Sequence, residues 1–72
     1  MTINIRLLKS KLALQSKSIS DLAQNINMNK STFYRKLNGK SDFTRKEITD
    51  IIQILDLDRE DMCAIFFTQK VS

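Results

Sequence analysis

The sequence predicts an all-α fold, a compact domain of five helices, and three observations predict it. Proline is absent and glycine occurs once, at Gly39, which suits helices better than a turn-rich β fold. Apolar residues recur at three- and four-residue spacing along five successive segments. Ser, Thr, Asn or Asp stands ahead of those segments, where a helix start needs a side-chain acceptor.

The first helix is expected over residues 4–15. Ile5, Leu8 and Leu12 form its apolar stripe, Leu7 and Leu14 widen it, and Arg6, Lys9 and Lys11 lie largely outside it. Thr2 or Asn4 supplies the cap, and Ser16, Lys17 and Ser18 mark the end. A short second helix follows over 19–26, opened by a capping box of Ser18 and Asp21. Leu22, Ala23 and Ile26 form its buried face, and Asn27 stops it by tolerating a left-handed backbone.

The third helix spans 30–37, with Asn29 as its cap and Phe33 and Leu37 as an i, i+4 apolar pair. Gly39 suits the left-handed position beyond its end. Thr44 and Glu47 form a capping box for the fourth helix, residues 45–55, with Phe43 and Ile48 placed as a hydrophobic staple. Ile48, Ile51, Ile52 and Leu55 then give an uninterrupted stripe, with Ile54 beside it. The fifth, 59–67, repeats the design with Asp58 as cap, Asp61 three residues on and a Leu57–Met62 staple. Met62, Ile65 and Phe66 share one face, and Cys63 is expected to serve as a small packing residue.

Seventy-two residues fit one domain, expected over 1–72. One cysteine and no histidine provide neither a disulfide framework nor a metal-ligand set. No cofactor is expected. No apolar run is long enough for a bilayer, and the first eleven residues lack a signal-peptide core. The reading is a cytoplasmic protein without a membrane partner. Catalysis is not expected either, since there is no cysteine–base pair and no glycine-rich phosphate loop, and so small a domain has little room for a substrate pocket.

Net charge is +4, but its distribution says more. Residues 1–40 carry eight basic side chains against one acid, and residues 41–72 carry four against seven. The first part, at +7, suits a polyanion; the second, at −3 and including Asp56, Asp58, Glu60 and Asp61, suits a surface turned away from one.

Two short helices with a tight connection make a helix-turn-helix, here helices two and three. Ala23 provides the small side chain their close crossing needs. Outward on the third helix stand Lys30, Ser31 and Arg35, whose donors suit base edges in the major groove. Tyr34 could meet a thymine methyl, a sugar or a phosphate. Ser18 and Ser20 sit where a helix start receives phosphate. Lys40, Ser41 and Arg45, with Lys46 beyond, follow as backbone contacts, Lys36 joins the phosphate-contacting candidates, and Lys9, Lys11 and Lys17 extend the basic surface.

Residues 18–39, "SISDLAQNINMNKSTFYRKLNG", resemble the Cro/repressor-type (XRE-type) helix-turn-helix family. The likeness lies in the Leu22–Ala23 pair, the turn Asn27, Met28, Asn29, the "KST" ahead of Phe33, and Asn38–Gly39. "SDFTRKEI" and "IFF" extend it to short Cro-like regulators of Gram-positive phages and prophages. The resemblance implies a five-helix phage-repressor-like domain that binds a double-stranded DNA operator, usually as a homodimer, and takes no small-molecule substrate. By position it implies base reading by Lys30, Ser31 and Arg35, with Thr32 and Tyr34 near them. It also implies phosphate contacts at the start of helix two and over residues 40–45. Many members carry an aliphatic residue where Lys36 stands. A dimer would draw on the domain's own surface, for which the adjacent Phe66 and Phe67 are the candidates. An antitoxin or host regulator of the same fold, or an interaction module that has lost DNA binding, are the competing readings.

Overall fold

The computed structural model describes residues 3–66. Five helices follow one another: α1 (Ile5–Leu14), α2 (Ile19–Asn25), α3 (Lys30–Leu37), α4 (Arg45–Leu55) and α5 (Arg59–Phe66), with no strand among the described residues. Each start carries the expected side-chain acceptor. Asn4 Oδ1 accepts from the Leu7 N–H at 3.0 Å, Asn29 Oδ1 from Ser31 at 2.8 Å and Asp58 Oδ1 from Asp61 at 2.7 Å. Both capping boxes close: Asp21 N–H to Ser18 Oγ with Ser18 N–H to Asp21 Oδ2, and the same exchange between Thr44 and Glu47.

The first four helices end alike. Ser16, Asn27, Gly39 and Asp56 all have positive φ, at 57°, 56°, 83° and 53°. In each case the amide of the following residue reaches back five positions: Lys17 to Leu12, Met28 to Ala23, Lys40 to Arg35 and Leu57 to Ile52. The left-handed residue itself reaches back three. This paired closure satisfies the last carbonyls and reverses the chain sharply, so four consecutive corners are built without proline.

The core gathers residues from all five helices. Leu8, Leu12, Leu22, Ala23, Phe33, Leu37, Ile51, Leu55, Ile65 and Phe66 are buried, joined by Ile3, Ile19, Phe43 and Leu57 at helix ends and connections. No polar side chain is buried with them among the described residues. α2 packs on both α3 and α4, while α1 packs on α5. The Asn4 N–H donates to the Ile65 carbonyl at 2.9 Å and Lys11 pairs with Asp61 at 2.9 Å, so α1 and α5 run in opposite directions.

The structure corrects three expectations. Leu14 is 78% exposed, because at about 100° per residue it faces away from the Leu8–Leu12 stripe. Cys63 is exposed, turned from the face that Ile65 and Phe66 share. Phe66, proposed for a dimer surface, is 2% exposed and closes the core of its own chain; Phe67 lies outside the described residues.

Candidate nucleic-acid interface

The site is built on α2, the turn of residues 26–29, and α3. Ala23 is buried, and its carbonyl accepts the Met28 N–H at 2.8 Å, so the turn folds directly over the end of α2. Asn27 supplies the left-handed step and Asn29 caps α3. Phe33, fully buried, and Leu37 fix the inward edge of α3. With about 100° between residues, Arg35 then stands opposite that edge, flanked by Ser31 and Thr32. Lys30, Ser31, Thr32, Tyr34 and Arg35 are all exposed, Tyr34 at 38%. Ser31, Thr32 and Arg35 therefore share the outward face with Tyr34 at its flank, whereas Lys30 lies near the helical angle of Leu37 and is open because it stands at the first position of the helix.

The phosphate candidates divide. Ser18, Lys40 and Arg45 are exposed, and Ser20 and Ser41 half-buried. At the head of α2 the capping box engages the amides of Ser18 and Asp21, leaving those of Ile19 and Ser20 at the helix end. The amide and then the hydroxyl of Ser18, with Lys17 nearby, hold the Asp21 carboxyl below its ordinary value. Among the described residues, Lys30 and Arg35 make no ion pair with a carboxylate.

Lys36 has a different partner. Its ammonium lies 2.7 and 2.9 Å from the two carboxylate oxygens of Glu47 and 5.9 Å from the centre of the Phe43 ring. It faces α4 rather than the open face. Other lysines are engaged too: Lys11 with Asp61, Lys46 with Asp50, and Lys17 with the Ile54 carbonyl. Gln15 Nε2 donates to the Leu55 carbonyl at 2.6 Å. Lys17 and Gln15 thus cap the end of α4, where the helix dipole favours positive charge. Except for Lys46 and Asp50, an i, i+4 pair within α4, these roles join residues far apart in sequence, and no local spacing announces them.

Glu47 sits between opposing influences. Burial works against its charge and is the largest single one, but hydrogen bonds from Lys36 and Thr44 together outweigh it and hold the carboxyl below its ordinary value. A carboxylate with a lowered folded value stabilises the fold above its unfolded value, about 4. That contribution is lost as pH falls through the folded one. The melting temperature is therefore expected to hold from neutral pH to about 5 and to fall below about 4, less steeply in Glu47→Gln. Circular-dichroism melts across that range check it; a melting temperature that rises on acidification would contradict it.

Among the described residues there is no cluster of potential metal ligands, and no helix is long and apolar enough to cross a membrane. Comparison with curated proteins and with solved structures returned no match. Residues 7–66 match the Cro/C1-type HTH DNA-binding domain. Five helices, a helix-turn-helix at α2 and α3 and a match over most of its length place this chain in the Cro/C1-type helix-turn-helix DNA-binding domain family.

Proposed function

We propose that the chain is a sequence-specific transcriptional regulator, a Cro-like repressor of phage or prophage type, that reads a double-stranded operator through the major groove with α3. The observation that carries this is the open edge of α3, where Arg35 stands opposite the buried Phe33 and Leu37 while Lys30 is exposed at the helix start, both cations unpaired among the described residues. Arg35 and Lys30 donate to guanine edges, Ser31 and Thr32 add hydroxyl contacts, and Tyr34 packs on a thymine methyl or sugar. Ser18, Ser20, Lys40, Ser41 and Arg45 hold the phosphates on either side. Lys36 leaves that set because Glu47 occupies its ammonium. The protein acts by binding, in the cytoplasm, as a homodimer on DNA, through a surface other than Phe66.

Fluorescence anisotropy with random and selected duplexes at two salt concentrations tests this. The selected duplex should bind more tightly at both, with affinity falling steeply as salt rises. Lys40→Ala should weaken all duplexes alike and lower the salt slope by about one. Absence of binding at low salt contradicts the proposal.

A further inference from the structure

The polar link between α3 and α4 suggests a role for a residue that touches no DNA. α2 packs on both α3 and α4, which leaves the third side of that triangle to be closed separately. Glu47 closes it. Its Oε1 accepts from Lys36 of α3 at 2.7 Å and from the Thr44 N–H at the head of α4 at 2.9 Å, while Oε2 accepts from Lys36 at 2.9 Å. Phe43 lies within the same clasp. Its ring meets Phe33 edge-on at 5.4 Å and faces the Lys36 ammonium at 5.9 Å.

The side chains of Lys36 and Glu47 are 13% and 23% exposed. Such a pair is screened by salt much less than one on the open surface. The connection between α3 and α4 carries Lys40 and Ser41, so the clasp spans both ends of the segment expected along the phosphates. A shift of α4 against α3 would move those backbone anchors relative to the base-reading edge.

We propose that Glu47 is a positioning residue for DNA reading, setting through Lys36 the angle at which α3 is presented relative to the phosphate-contacting segment of residues 40–45. The inference rests on the reading of α3 as the DNA-contacting helix. Lys36 acts inward in it: its charge holds α3 to α4 and does not neutralise a phosphate.

The test measures affinity for a selected and a random duplex across a salt series, for the parent chain, Glu47→Gln, Lys36→Met, their combination and Lys36→Arg. Circular dichroism confirms folding at the assay temperature. The Glu47→Gln change keeps an acceptor for the Thr44 N–H but loses the charge, and Lys36→Met keeps the apolar stem. Either change should lower the selected-to-random affinity ratio about tenfold, the worth of roughly one base contact, with the random-duplex salt slope unchanged in Lys36→Met. The double variant should lose no more than either single one, since both act through one bridge. Lys36→Arg should restore the ratio.

An unchanged ratio in the folded single variants overturns the proposal, as does a Lys36→Met slope lower by about one, which would make Lys36 a phosphate contact. If Glu47→Gln does not fold, Lys36→Met, with its Thr44–Glu47 box intact, decides. Failure of the parent chain to bind either duplex removes the DNA reading and this one with it. Binding by the parent with an unaltered ratio in the variants removes this one alone.

Discussion

Replacing Phe33 with alanine is expected to bring the domain close to unfolding. The ring is fully buried on the inner edge of α3 and packs edge-on against Phe43 at 5.4 Å. Truncating a buried phenylalanine costs about 3–5 kcal/mol, because the cavity left behind collapses only in part. A domain of this size is stable by only about 4–11 kcal/mol. At roughly 4–8 °C per kcal/mol, the melting temperature should fall by well over 10 °C, with DNA affinity lost in the same range. Phe33→Leu, which keeps most of the volume, should lose far less. A thermal melt followed at the helix signal checks both. A fall of only a few degrees in Phe33→Ala would mean that α3 is not held by this ring.

Arg35→Ala is expected to have the largest effect on sequence preference. The side chain is exposed and opposite the buried edge, so its removal should leave the melt nearly unchanged, within about 0.5 kcal/mol. A bidentate arginine–guanine contact discriminates by about 1–3 kcal/mol, so preference for the selected duplex should fall about tenfold or more. Substituted duplexes should show that relaxation at one base position per half-site. Equal weakening on every duplex, with a lower salt slope, would make Arg35 a phosphate contact instead.

The fold was legible because its signals are local. Asn4, Ser18, Asn29, Thr44 and Asp58 each start a helix through acceptors within two or three residues, and Asn27 and Gly39 announce their left-handed steps by residue type. Ser16 takes the same step without such a signal, and Asp56 takes it as a residue type that tolerates it. At Ser16 the paired backbone bonds fix a conformation that the side chain does not prefer. Leu14 and Cys63 are apolar enough to suggest core, but the helical angle turns both outward.

The candidate site was legible in outline for a similar reason. Once Phe33 and Leu37 face inward, helix geometry alone sends Ser31 and Arg35 outward. Partner choice was not legible. Lys36 and Lys40 differ in sequence only by position, yet one is held by Glu47 eleven residues away and the other is exposed. Which lysine finds a carboxylate is decided by how α3 and α4 meet, and the same holds for Lys17 and the end of α4.

The claim that the outward edge of α3 meets DNA is tested most directly by backbone amide shifts of the labelled protein, recorded as a short duplex is added. The changes are expected to concentrate on residues 18–21 and 29–45, strongest near Ser31 and Arg35 and weak along α5. Shifts centred on α1 and α5, with α3 unaffected, would contradict it.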